Sequence, residues 1–481
     1  MFLGVDLGTG SVKALLLAAD GSVVRTESVE YAVRSPLRGR AESDPQRWWA
    51  ATARAVRAVV RESGAGVEAV GLSGQMHGFV LSGPTGEPLR PAILWADARA
   101  ARCLGAYRRL DAEIRRRLAN PPAVGMAGPT LMWLREEEPG LYRTARWALQ
   151  PKDWLRLRMT GEVATEPSDA SATLLYDLES DGWYAGAVSA LGLDNDLLAP
   201  VRSSTDVAGT LTESAAEALG LQAGTPVAVG AADTAAALIG TGLQGSGTFQ
   251  LTVGTGAQIV TLRDDFSPDP TNRTHLFRTA LPTEAPYYAM AAMQNAGLAL
   301  EWVRRTLGVS WPQFYDEAFA EGVRPGAGGV TFVAHLGGER TPGFRPEARG
   351  AWSNLGLEHE RGHLLRAALE GVAFSIRDGL EALEAAAEET PHRLRLAGGG
   401  TTDPRWRTML ADVLGRHLAL LPEFVSANAS ALGAAIVAGV ACGGLAAPPF
   451  LAKPERFISP DADAPYEEAY SAYIARRTGG S

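Results

Sequence analysis

The sequence predicts an α/β protein built from two related halves, and three observations carry that expectation. Short apolar runs of strand length alternate with segments of helical period along most of the chain. A Gly-Thr-Gly turn flanked by strand-like runs occurs at Gly8, Thr9 and Gly10, and again at Gly254, Thr255 and Gly256, about half the chain length later. The chain has 481 residues, 46% of them hydrophobic, enough for two large cores or three smaller ones, so neither disulfides nor a structural metal are needed for stability.

Taken in order, residues 2–7 and 12–17 are apolar strands around the first glycine turn. Asp44 and Pro45 form an N-cap and first-turn pair, and Trp48, Thr52, Ala55, Val56 and Val59 follow at helical spacing, a face that packs on a sheet. Residues 69–73 and 226–230 read as strands ending in glycine; each delivers polar residues at its carboxyl end, where α/β proteins build their sites. The run 234–240 reads as a helix, and the small residues 242–248 as a hinge between halves. A second hairpin spans 248–252 and 258–262, and 396–402 is a further strand ending in a glycine turn. Residues 424–452 carry no charged side chain, but they are mostly Ala, Gly and Ser and contain Pro448 and Pro449. A tightly packed buried helix is therefore expected, not a membrane span.

Composition excludes several functions. With 45 basic and 54 acidic residues the net charge is −9, which leaves no basic surface for nucleic acid. The arginines within 108–117 read as the solvated face of a helix. Two cysteines, Cys103 and Cys442, lie far apart with no partners at metal-ligand spacing, which fits a reducing compartment. The N-terminus has no basic region before its apolar stretch, and Asp6 interrupts that stretch, so no signal peptide is expected.

A Gly-Thr-Gly turn presents several backbone N–H groups and a hydroxyl in one direction and can hold phosphate oxygens, although it is also an ordinary hairpin. Two copies, the first preceded by Asp6, favour a nucleotide site; the Asp6 carboxylate is tolerable near phosphates when a cation such as Mg²⁺ lies between. Gly240, Gly242 and Gly245 spell a dinucleotide fingerprint, but they follow a helix where a strand is required. His359-Glu360-Arg361-Gly362-His363 spells a zinc-peptidase motif, but it falls at a helix start. Asp233 opens a helix and is either a cap or a general base for a hydroxyl nucleophile. His77, within Gly74-Gln75-Met76-His77-Gly78, is either a packed histidine or a polyol contact.

These residues, in this order, resemble the FGGY family of carbohydrate kinases, in the actin–hexokinase superfamily of ATPases. The resemblance runs through segments 5–13, 44–49, 74–78, 91–99, 151–160, 230–236, 254–256, 338–342, 398–400 and 432–435; Gln75-Met76-His77-Gly78 and the 151–158 run Pro-Lys-Asp-Trp-Leu-Arg-Leu-Arg belong to one pentulose branch. It implies duplicated ribonuclease H-like domains with a cleft between them, divided as 1–245 and 246–481. It implies ATP-dependent phosphorylation of D-xylulose at its 5-hydroxyl, with another ketopentose or polyol (ribulose, L-xylulose, arabitol-type) as the alternative. A non-catalytic actin-like protein binding ATP and sugar is the alternative from another class. By the same likeness Asp233 is the proton acceptor, and Asp6 positions Mg²⁺ through water. Met76, His77, Thr234 and, more weakly, Asp97 meet the sugar. Gly8, Thr9, Gly10 and Lys13 form the first phosphate segment, Gly254 and Thr255 the second, and Gly398, Gly399 and Gly400 approach the adenosine. A cytoplasmic homodimer without nucleic-acid or membrane partners is implied as well.

Departures from the family pattern are local. Thr234 stands where this branch commonly has Asn, and Ala257 follows Gly256 where Gly-Thr-Ser-Gly is more usual. The first family signature usually has a Lys near Thr130, and Ser353-Asn354 looks like a small insertion before the second. None removes a proposed catalytic group; Thr234 leaves the sugar open.

Overall fold

The computed structural model describes residues 1–37, 39–61, 66–243, 245–281, 284–343, 345, 347–446 and 452–477. Its frame is two seven-stranded sheets with the same plan. The first is built from β1 (Phe2–Leu7), β2 (Ser11–Leu17), β3 (Val23–Glu30), β4 (Ala69–Gly74), β5 (Val207–Thr210), β6 (Pro226–Ala228) and β7 (Ala231–Ala232). The second is built from β8 (Phe249–Val253), β9 (Ala257–Arg263), β10 (His275–Arg278), β11 (Tyr287–Met293), β12 (Arg393–Ala397), β13 (His417–Leu420) and β14 (Arg456–Ile458).

In the first sheet β3, β2 and β1 run antiparallel, β4 and β6 add in parallel, and β5 closes the edge antiparallel. In the second, β11, β9 and β8 run antiparallel, β12 and β13 add in parallel, and β14 closes the edge antiparallel, with β10 added beyond β11. The repeat read from two glycine turns is thus a repeat of whole sheets. Phe2, Leu3, Val5 and Leu7 of β1 are all fully buried, as expected of a strand covered on both faces.

Helix α1 (Pro45–Val60) starts where the sequence predicts: Asp44 accepts from Gln46 N at 3.0 Å, and Trp48, Thr52, Ala55, Val56 and Val59 are all buried. Between strands of the first sheet lies α2 (Pro151–Thr160), α3 (Asp233–Thr241) leads from the first sheet to the second, and α4 (Arg361–Ala387) and α5 (Pro404–Leu414) connect parallel strands of the second. The expected charge-free run forms most of α6 (Glu423–Ala441), long and apolar enough by composition to cross a membrane. Here it is an interior element, packed on β1, β4 and α3. Residues 447–451, including Pro448 and Pro449, lie outside the described residues.

Small residues explain how α6 seats. A Cβ on Gly4 would stand 2.0 Å from Ala431 O, and one on Gly71 2.0 Å from Ala434 O. Where α3 and α6 cross, a Cβ on Gly433 would stand 1.8 Å from Ala236 O and one on Gly240 2.0 Å from Ala429 O. Gly240 is therefore a helix-crossing residue, and Gly242 ends α3 in the left-handed conformation at φ 68°. That accounts for two glycines of the dinucleotide-like pattern. Residue 244, within the expected hinge, lies outside the described residues.

The remaining decoys resolve locally. His359 precedes α4, its Nε2 lying 3.1 Å from Gly328 O, while His363 Nδ1 accepts from Glu360 N at 3.1 Å to close the helix entrance. Among the described residues no group of three metal-ligating side chains gathers. The basic run holds a short helix, Ala112–Leu118, whose Arg116 pairs at the surface with Glu113 and Glu179, while Arg117 reaches the buried Asp177.

Candidate active site

The carboxyl ends of β1, β4 and β7 face the second sheet across a cleft. Register alone puts Asp6 beside Lys13 on one side and Ser73 on the other. Ser73 donates its hydroxyl to Asp6 Oδ1 at 2.8 Å. Burial raises the Asp6 pKa against the opposing pull of Ser73 and Lys13. Lys13 reaches across the cleft and donates to Ala427 O on α6; burial lowers its pKa, and Asp6 counters.

Asp233 is the first residue of α3 and turns its carboxylate back onto Thr234 N (2.6 Å) and Thr234 Oγ1 (3.2 Å). Burial, and then the negative charge of Asp6, push its pKa up to about 7. Asp6, Lys13, Asp233 and Thr234 line one cavity of about 220 Å³, shared with Gln250 and Gln258 from the second sheet. Gln250 Oε1 is buried without a hydrogen-bond partner among the described residues. Carboxylate and amide oxygens around an unbalanced negative charge form a hard-donor set that suits Mg²⁺ better than zinc.

Gly8 N donates to Ser11 O at 3.0 Å and Gly254 N to Gly256 O at 2.8 Å, closing the two hairpins. Trp95 Nε1 donates to Thr9 Oγ1 at 2.9 Å, and Tyr31 donates its hydroxyl to Gly8 O. Gly398, at φ 94°, lies so close to the second hairpin that a Cβ would sit 2.2 Å from Val253 O. Gly400 N donates to that same carbonyl at 2.9 Å. A groove of about 420 Å³ runs from Gly398, Gly399 and Thr402 to Ser426 and Ala427, residues that also line the first cavity. The proposed adenosine segment thus adjoins the cavity that holds Asp6 and Asp233.

Met76 and His77 follow β4 and are buried at the seam between the halves. Met76 Sδ accepts from Tyr288 Oη at 3.8 Å. His77 has φ 72° and its Nδ1 lies 3.0 Å from Ala172 O; a carbonyl only accepts, so Nδ1 carries the proton and Nε2 is left as an acceptor. Burial, then the Arg340 charge, hold its pKa down at about 3, so the ring is neutral.

Asp97 has a different place. Its oxygens accept from Ala41 N (2.7 Å), Arg99 N (2.9 Å), Arg99 Nε (2.7 Å) and Arg99 Nη2 (2.7 Å), a complete set for a buried carboxylate. Both oxygens are thus engaged in shaping its loop, and these contacts lend the expected substrate contact no support.

Sequence reasoning missed several supporting residues. Lys152 is fully buried between Asp153 (2.8 Å), Asp169 (3.1 Å) and Glu166 (3.2 Å), and Arg156 pairs with Asp153 at 2.8 Å. Burial holds Asp169 well above the usual carboxylate range. Glu166 and Asp169 flank Ser168, whose Oγ accepts from Ala232 N at 3.0 Å, one residue before Asp233. The charged run at 151–158 was the available signal; nothing local marked its partners.

Two repeated sheets, each with a glycine hairpin, and a buried carboxylate in a cavity lined from both define the class: a phosphoryl-transfer ATPase of the actin/hexokinase-like fold. Residues 1–240 match the N-terminal domain of the FGGY family of carbohydrate kinases and residues 250–442 its C-terminal domain, and the chain belongs to that family. It is 35% identical to a xylulose kinase of Escherichia coli K12 over 419 residues, covering 87% of this chain and 86% of that protein. It is 34% identical to a xylulose kinase of Klebsiella pneumoniae over 458 residues, covering 94% and 92%. The crystal structure of a xylulose kinase from Rhodospirillum rubrum superposes with a TM-score of 0.86 at 28% identity, over 98% of this chain and 97% of that one.

Proposed function

We propose that this protein transfers the γ-phosphoryl group of ATP to the 5-hydroxyl of D-xylulose, giving D-xylulose 5-phosphate and ADP. The observation that carries the reading is Asp233: a buried carboxylate with its pKa near 7, in the same cavity as Asp6 and Lys13. Its similarity to the xylulose kinases above supports the sugar. In this reading the ionised Asp233 takes the proton as the sugar oxygen attacks the γ-phosphorus and the bond to the departing ADP oxygen breaks. Met76 and His77 hold the sugar, with Thr234 beside the base. The N–H groups around Gly8–Gly10 and Gly254–Thr255 and the Lys13 ammonium face the phosphates, and Gly398–Gly400 the adenosine. Asp6 would hold Mg²⁺ through water, which when bound neutralises charge on the phosphates. The domains divide at 245/246, between α3 and β8.

Thr234 in place of Asn favours testing a second reading, another ketopentose or a polyol as substrate. A coupled assay of ADP release with Mg-ATP over D-xylulose, L-xylulose, ribulose and arabitol tests both. D-xylulose is expected to give the highest kcat/KM. A better substrate among the others would replace it, and background release with every sugar would leave a non-catalytic ATP- and sugar-binding protein.

A further inference from the structure

Asp233 and His77 lie on different segments of the first half, yet both lean on one stretch of chain, residues 166–173. The base follows β7, which is two residues long and, among the described residues, pairs with β4 alone. So short a pairing leaves its position to other bonds. Arg156 Nη1 donates to Val229 O at 2.6 Å, Gly230 N donates to Ser204 O at 3.1 Å, and Ala232 N donates to Ser168 Oγ at 3.0 Å. His77, for its part, donates from Nδ1 to Ala172 O at 3.0 Å.

Each of these bonds leads back to Glu166. Its carboxylate caps the one-turn helix Pro167–Ala170, accepting from Ser168 N at 2.7 Å and Asp169 N at 3.0 Å. That fixes Ser168 and, through the turn Ser171–Thr173 that follows directly, Ala172. The same carboxylate accepts from Ser204 Oγ at 2.8 Å and lies 3.2 Å from Lys152 Nζ, which shares Asp153 with Arg156. Glu166, Ser168, Lys152 and Arg156 are all fully buried, where such bonds are strongest. Neither Glu166 nor Ser168 lines the cavity holding Asp6 and Asp233, so both act through other residues. We propose that Glu166 is the common positioning residue for the base and the sugar histidine. Through Ser168 it sets the backbone from which Asp233 projects, and through the Ala172 carbonyl it aims the His77 ring. The demand is strict, because misplacing a reacting group by about 1 Å costs roughly 100-fold in rate. This rests on the sugar-kinase reading above and adds to it the mount that keeps base and sugar in register.

The test compares wild type with Ser168→Ala, Glu166→Gln and Thr130→Val. It measures turnover of D-xylulose with Mg-ATP, calorimetric binding of D-xylulose without ATP, and the melting temperature. Ser168→Ala leaves the cap on Ser168 N intact and removes only the acceptor for Ala232 N. Its kcat should fall roughly 10- to 100-fold, while D-xylulose affinity and the KM for ATP hold. Glu166→Gln turns one acceptor into a donor facing a backbone N–H and releases both branches, so kcat and D-xylulose affinity should fall together. Should that chain be too unstable to assay, Glu166→Asp, which draws the carboxylate back by one methylene, carries the same expectation. Thr130→Val is the control: it deletes another buried hydroxyl bond of the first half, to Met126 O at 2.9 Å, on neither branch. It should lower the melting temperature and leave kcat unchanged. Unchanged kcat in Ser168→Ala, full D-xylulose affinity in the folded Glu166 variant, or a turnover loss in Thr130→Val matching that of Ser168→Ala would each overturn the proposal. Wild type turning over no sugar of the panel above would overturn the kinase reading, and the positioning of a base would fall with it. Wild-type turnover with an undiminished Ser168→Ala would overturn the positioning alone.

Discussion

Asp233 illustrates how one residue acquires its chemistry from where it sits. A carboxylate at a helix N-terminus is ordinarily stabilised in its charged form. Here burial and the Asp6 charge outweigh that and the bonds from Thr234, leaving a base matched to neutral pH. Asp233→Ala should abolish sugar phosphorylation, a loss of about 100-fold or more, while titration still shows ATP binding. Lost nucleotide affinity with retained turnover would reverse the assignment. The pH dependence has a definite sign. Because Asp233 works ionised, kcat/KM for the sugar should fall as pH drops below about 7. Asp6→Asn removes the charge that raises the Asp233 pKa, so its residual activity should show the acidic limb displaced to lower pH. A limb that stays in place in a pH series would mean that Asp6 does not set the base.

Among the elements, α3 and α6 matter most, because their crossing joins the halves beside the site. Gly240 and Gly433 bring the two backbones together where any side chain would collide with carbonyl oxygens. Ser430 Oγ donates to Asp233 O at 3.1 Å, so the crossing also steadies the residue that holds the base. Gly433→Ala should cost about 1–3 kcal/mol of stability in denaturant unfolding, from overpacking alone. Gly10, where a Cβ would meet nothing within 4 Å, should tolerate alanine far better in the same measurement.

For the whole molecule, the consequence is that the two halves do not have separable cores. Phe2, Leu15, Leu17 and Ala69 of the first sheet are covered by Ala431, Leu432, Ala435 and Ile436 of α6, from the far end of the chain. A fragment of residues 1–245 leaves that face bare. It should therefore bind hydrophobic dyes and lack a cooperative thermal transition, whereas co-expression with 246–481 should restore both solubility and the transition. A fragment that melts cooperatively alone would refute the shared core.

By itself the sequence determined the features whose hydrogen bonds are local: the Asp44–Pro45 helix start, the two glycine hairpins, the glycine at the end of β12, and the carboxylate that opens α3. Each is written in adjacent residues because its partners lie within a few positions of it. Resemblance to a known family, resting on the same local runs, extended this to the order of the phosphate segments. Only the tertiary structure decided which residues meet. It gave Asp97 to Arg99, lodged an apolar helix between the halves, and buried Lys152 among three carboxylates. Such outcomes depend on burial and on contacts between residues distant in the chain. Neither composition nor spacing encodes the desolvation that turns an ordinary Asp into a base.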